Sequence, residues 1–247
     1  MIYMKIALAA VGFMTNNTAY NLAKIKGLAE RYSDKVDLIL LGESFLQGFE
    51  CLSWDYSKDV NIAVDQNSDL IDEIRAFSKT YQVALSFGYI EKEEDKIYSS
   101  QLTLDKKGNT LNDFRRVSTG WKEAIAGSNY VEGEGFSQFE YLGKTISVAL
   151  CGDLWYEDNC AHMKQLNSDL VLWPVYIDFN YQEWNTKLKY ECAEQAGKCG
   201  ENVLYVNSYC VDGGGYEIAR GGAALFVDGR IKAEKPSGEE NVLVVEI

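Results

Sequence analysis

Apolar runs of strand length recur along this chain, and most are separated by stretches with helical spacing; no other feature limits its fold as much. MKIALAAV opens the series, VDLILLGE follows from Val36, and then come VALSFGYI, KTISVALC and SDLVLWPVYI, the last read as a strand ending at Pro174. NVLYVNS, AALFVD and NVLVVEI complete it. Between the runs, Asn17 to Tyr32 carries Leu22, Ile25 and Leu28 at helical spacing. Ser68 offers a cap for SDLIDEIRAFSKTY, which places Leu70, Ile71, Ile74 and Phe77 on one face. Helical pattern resumes after Asp153 to about Asn167, and a long helix is expected from about Gln182 to Cys199. IYSSQLTLD and TLNDFRRV flank Lys106–Asn109 as a hairpin. This β–α order with inserted hairpins predicts an α/β protein, with helices outside a mostly buried sheet system. No linker or low-complexity tract interrupts it, so residues 1–247 read as a single domain. Gly213–Gly215 reads as a flexible loop whose bare backbone can approach a ligand.

Composition narrows the function classes. Apolar residues make up 47% and charged residues 25%, enough for a sizeable core. The net charge is -13, which disfavours nucleic acid and anionic membrane as partners. No run approaches the roughly 18 apolar residues that span a bilayer. The single histidine, His162, excludes a multi-histidine metal site. It is also the only residue that could serve a Cys–His or Ser–His pair. The six cysteines show no C-x-x-C spacing, and the N-terminal apolar run lacks a basic leader, so a reduced cytoplasm is expected.

Three places carry residue types suited to chemistry. Cys151 ends an apolar strand and is followed by Gly152 and Asp153, a good helix starter. At such a turn a helix N-terminus favours the thiolate, and the Gly152 N–H can oppose an oxyanion. The plainer alternative is a small core cysteine. Glu43 stands at the end of VDLILLGE, where a buried carboxylate can act as general base. The plainer alternative there is a solvated loop acid. The segment FRRVSTGWKE holds Arg115, Arg116 and Lys122, any of which could stabilise developing negative charge or simply be surface charge.

Taken in order, LGESFLQGF, the hairpin IYSSQLTLDKKGNTLNDFRR, ISVALCGDLWYED, DLVLWPVYID, GENVLYVNSY and GGAALFVDGRI resemble the carbon–nitrogen hydrolase (nitrilase-like) superfamily over nearly the whole chain. The resemblance implies an αββα sandwich and a homodimer or higher homo-oligomer. It implies an amidase-type hydrolase of a small-molecule amide or nitrile, with Glu43 as base, Cys151 as nucleophile and neither metal nor organic cofactor. It also implies a substrate-orienting role for Glu123, by spacing, and leaves His162 outside the chemistry. Tyr176, with Trp54–Tyr56, Trp121 and Tyr216, is a candidate for specificity. Two departures stand out. Gly42 replaces the family's proline before the glutamate. Phe114–Arg115–Arg116 replaces Tyr-Arg-Lys, so Arg116 occupies the catalytic-lysine slot. Arginine is not equivalent to lysine there. Lys122 is the competing cation and is preferred at this level, because an ammonium can donate a proton and an arginine beside Glu43 would weaken it as a base. An acyltransferase, or a non-catalytic binding member, are the alternative readings.

Overall fold

The computed structural model describes residues 3–213 and 218–247, so Gly214–Gly215 of the expected loop and Tyr216 lie outside the described residues. The strands are β1 (Lys5–Ala10), β2 (Gly12–Phe13), β3 (Leu38–Leu41), β4 (Ala84–Glu93), β5 (Lys96–Leu104), β6 (Thr110–Arg115) and β7 (Gln138–Tyr141). Then follow β8 (Lys144–Val148), β9 (Leu170–Val175), β10 (Asn202–Asn207), β11 (Tyr209–Cys210), β12 (Ala223–Val227), β13 (Arg230–Lys235) and β14 (Asn241–Glu246). The helices are α1 (Thr18–Tyr32), α2 (Tyr56–Asp59), α3 (Asp69–Tyr81), α4 (Glu157–Leu166), α5 (Tyr181–Glu183) and α6 (Lys189–Gly197).

Two six-stranded sheets, ordered β14-β1-β3-β4-β5-β6 and β13-β12-β10-β9-β8-β7, form the middle of the molecule. In β1 and β3 every second residue faces the other sheet, as Ile6, Leu8, Leu38 and Leu40 do. Their neighbours Ala7, Ala9, Ile39 and Leu41 face the outer side, where they meet Leu22 and Ile25 of α1 and Ile71 and Ile74 of α3. A continuous apolar run is therefore a strand buried on both faces. On the second sheet, Cys160 and Met163 of α4 and Ala193 and Ala196 of α6 cover the outer side. The result is the expected αββα sandwich.

Asn17 caps α1 by accepting from the Tyr20 N–H, and Ser68 caps α3 through the Ile71 N–H. Two expectations need correction. β9 does not end at Pro174 but runs on to Val175, with Pro174 paired to Val206. The last β8 pair is Val148 with Leu172, so beyond it a proline forfeits no rung on that side. The long helix is broken: a π-helical turn over Trp184–Leu188 joins α5 to α6. Buried Trp184 stacks on Tyr205 at 5.7 Å, and the widened turn sits where that indole enters the core.

Candidate active site

β1, β3 and β4 are parallel, β5 and β6 reverse direction in turn, and β8, β9 and β10 are parallel in the second sheet. β3, β6, β8 and β9 are followed by Glu43, Arg116, Cys151 and Tyr176, and these four meet at one rim of the sandwich. Strand ends of parallel sheets are where α/β proteins place their sites.

Cys151 opens a short 3-10 turn, Cys151–Trp155, with a left-handed φ of 43° that a non-glycine residue adopts only at a cost. Two neighbours hold it there. The Trp173 indole Nε1–H donates to the Cys151 carbonyl at 2.8 Å, and the Leu150 N–H donates to Asp153 Oδ2 at 2.9 Å. The thiol lies 3.5 Å from the Tyr176 carbonyl.

Glu43 is fully buried. Its Oε1 accepts from Ser99 Oγ at 2.9 Å and from Arg116 Nη1 at 3.0 Å. Its Oε2 has no hydrogen-bond partner among the described residues, and the carboxylate is close enough to the Cys151 thiol for its charge to raise the thiol's pKa. Gly42 is matched to this packing: a Cβ there would stand 2.2 Å from Ser208 Oγ.

Arg116 is buried and its guanidinium is spread across the site. Nε donates to Ser118 Oγ at 2.9 Å and Nη1 to Glu43. Nη2 lies against Gly152, and no described acceptor takes its protons. A guanidinium carries five N–H donors, so this one keeps two aimed at the nucleophile turn. Asp153 ties the cation's loop to that turn, since its Oδ1 accepts from the Val117 and Ser118 N–H groups at 3.1 and 2.7 Å while Oδ2 holds Leu150.

The expected thiolate is not what this environment favours. Burial first and the Glu43 carboxylate second push the Cys151 thiol up to about 12, and Arg116 only partly opposes them. A short 3-10 turn also supplies less dipole than a full helix. This environment favours the thiol, which an adjacent base would have to activate.

Of the other candidates, Gly152 lies in the site. Tyr176 contributes its carbonyl there, while its ring packs away on Phe49, 5.0 Å centroid to centroid, and on Phe13. The preference for Lys122 is corrected: its Nζ is 2.6 Å from Glu132 Oε1 and donates to the Tyr130 carbonyl at 3.0 Å. Trp121 anchors that loop, buried between Trp54 and Tyr130, and the lysine beside it pairs with Glu132 and not with Glu43. Glu123 is exposed, and its charge is felt by Glu50 near Tyr176. His162 packs its ring edge-on against Phe136. Ser99, Ser118 and Trp173 were missed. A buried serine or tryptophan, in a strand as Ser99 and Trp173 are or in a loop as Ser118 is, has no distinguishing local pattern; only the fold brings it to a carboxylate, a guanidinium or a carbonyl.

A groove of about 620 Å³ between α1 and β14 is lined by Tyr20, Lys24, Arg31 and Glu240 and by none of these site residues. Among the described residues no group of three or more His, Cys, Asp or Glu could hold a metal ion.

The arrangement is a carboxylate, a cation and a thiol on three separate strand ends of an αββα sandwich, and comparison with known proteins agrees with that architecture. The carbon-nitrogen hydrolase family model matches residues 5–247, and the chain belongs to that family. It is 22% identical over 251 residues to a glutamine-dependent NAD(+) synthetase of Aquifex aeolicus, covering 98% of this chain and 42% of the synthetase. It is 21% identical over 169 residues to an (R)-stereoselective amidase of Pseudomonas sp, covering 68% of this chain and 59% of the amidase. The chain thus spans less than two thirds of the length of these curated relatives, under half of the synthetase. A double mutant of the amidase from Nesterenkonia sp. AN1 in complex with acrylamide superposes with a TM-score of 0.77 at 16% identity, covering 99% of this chain and 90% of that one. At that identity the likeness is one of fold.

Proposed function

We propose that this chain hydrolyses a non-peptide C–N bond in a small molecule, an amide ahead of a nitrile, through a Cys151 thioester. The observation that carries the reading is the junction of Glu43, Arg116 and Cys151, which are far apart in sequence and are brought together only by the fold. Glu43 takes the thiol proton as sulfur attacks the amide carbon. Concerted transfer suits a thiol that is barely ionised at neutral pH. Arg116 Nη2 and the Gly152 N–H oppose the oxyanion. Glu43 returns the proton to the leaving ammonia or amine, and then activates the water that releases the acid. Arg116 cannot donate a proton in this scheme; Glu43 carries every transfer.

An acyltransferase would use the same thioester with an amine as acceptor. A binding member without turnover would need neither the left-handed backbone at Cys151 nor a free Glu43 oxygen, and both are present. We propose further that residues 1–247 work as one catalytic domain, and that copies associate.

The test is intact-mass analysis of quenched reactions with a panel of primary amides that includes glutamine, acrylamide and butyramide, beside Cys151→Ala. A mass increase equal to the acyl group, absent in Cys151→Ala and decaying with release of the acid, supports the proposal. Binding with no adduct and no product would overturn it in favour of the binding reading.

A further inference from the structure

We propose that Gly152 is a positioning residue for Arg116: the missing side chain at 152 is the space that lets a guanidinium stand beside the nucleophile. The inference rests on the reading of Arg116 as the site's cation. An ideal Cβ on Gly152 would lie 2.7 Å from Arg116 Nη2, 3.7 Å from Cζ and 3.4 Å from Ser118 Oγ. Contact with the tip of a flexible side chain is ordinarily cheap, because the tip swings aside. This tip is held. Its Nε is bonded to Ser118, its Nη1 to Glu43, and the residue is almost wholly buried. Moving Nη2 away from residue 152 would break one of those bonds inside the protein, where an unmet charged donor is costly.

Backbone geometry gives no other reason for glycine at this place. Gly152 is not among the residues with positive φ, although its neighbour Cys151 is. An L-side chain therefore fits the backbone at 152, and the obstacle is the guanidinium. The glycine and the arginine are matched in size. A lysine at 116 would end in one nitrogen and leave the space that Nη2 fills. The same match sets function: the nitrogen pressed against Gly152 is the one whose protons remain for the oxyanion.

The test is a four-protein cycle of the parent chain, Gly152→Ala, Arg116→Lys, and the two changes combined. Two quantities are read in each: kcat/KM on whichever amide the chain hydrolyses, and the rate of Cys151 alkylation by iodoacetamide at pH 9. In the arginine background, Gly152→Ala should lower kcat/KM by about tenfold or more, within the range of interaction energies of contacting residues. It should also slow alkylation, because a displaced guanidinium no longer favours the thiolate. In the lysine background the same alanine should change both by less than about threefold, as expected of an uncoupled site. Failure of Gly152→Ala to fold, with recovery in the double variant, reports the same clash. Equal effects of the alanine in both backgrounds, or no effect in either, would overturn the inference. The alkylation arm needs no substrate, so absence of turnover would defeat the hydrolase reading and leave this one still measured.

Discussion

At the level of single residues, the site turns on which cation faces the carboxylate. Arg116 does, by a 3.0 Å bond to Glu43, while Lys122 is paired with Glu132. Arg116→Ala is expected to lose about 2–4 kcal/mol of transition-state stabilisation, the size of one oxyanion donor. Lys122→Ala breaks a half-exposed ion pair and should leave kcat/KM nearly unchanged. Steady-state kinetics of the two variants side by side decide the matter. The thiol makes a second prediction. Cys151 is partly exposed as a residue while the other five cysteines are buried, so iodoacetamide should label it first even though its sulfur is largely shielded from solvent. Its pKa is raised first by burial and then by Glu43, so labelling should speed up steadily from pH 7 toward the value near 12. Glu43→Gln removes the negative neighbour and leaves Arg116 unopposed, which moves the labelling profile to lower pH. The same change should cut hydrolysis by about 10²–10⁴-fold, the usual worth of general acid–base catalysis. A profile that moves to higher pH in Glu43→Gln would show that the carboxylate does not act on this sulfur.

Between elements, Asp153 is the tie. Buried without exposure, it accepts from three backbone N–H groups, two in the stretch after β6 and one in the turn after β8. Burial raises its carboxyl to about 6 against the pull of those donors. A raised carboxyl means that the native state holds the proton more tightly than the unfolded chain. Its contribution to stability is therefore fully present below the ordinary value near 4 and is lost as pH rises through about 6. Asp153→Ala strands three donors at about 1–3 kcal/mol each, so urea unfolding should show a loss of 3 kcal/mol or more. A loss under about 1 kcal/mol would mean that water satisfies those groups and the tie is weak. Arg115, on the other face of β6, anchors the same strand from behind, with bonds to Glu91 at 2.6 and 2.8 Å and to Glu93 at 2.9 Å. Adjacent arginines thus divide the work by strand alternation, one structural and one in the site.

Across the whole molecule, the space between the sheets is the common core from which the strand ends emerge. Leu8 of β1 is fully buried there with Leu40, Trp173 and Val206. Leu8→Ala should cost about 2–5 kcal/mol in equilibrium unfolding, by lost burial and by the cavity left behind. A much smaller loss would mean that the two sheets can close over the gap. Phe179, Tyr181 and Tyr190 are exposed large hydrophobics on and before the α5–α6 region. Among the described residues no helix is long and apolar enough to cross a membrane.

The sequence by itself determined most of the long buried strands and helices and their order, because burial on one or two faces writes itself into local spacing; the half-exposed edge strands β7 and β13 left no such run. Leu38–Leu41 and Leu170–Val175 are strands with buried residues throughout, and Ile71, Ile74 and Phe77 form a helical stripe. It also marked Glu43 and Cys151, since each ends such a strand. Only the tertiary structure placed a cation on Glu43. Arg116 and Lys122 are six positions apart with similar charge, and what separates them is their partners: Arg116 bonds Glu43, while Lys122, beside a Trp121 buried against Trp54 and Tyr130, bonds Glu132. The state of the thiol was likewise decided in three dimensions, because desolvation and the Glu43 charge belong to the folded environment and not to the motif. So was the meaning of Gly152, a glycine whose reason is the position of another residue's nitrogen. Local pattern records which face of an element is dry; which side chains share that dry space depends on contacts between elements distant in sequence.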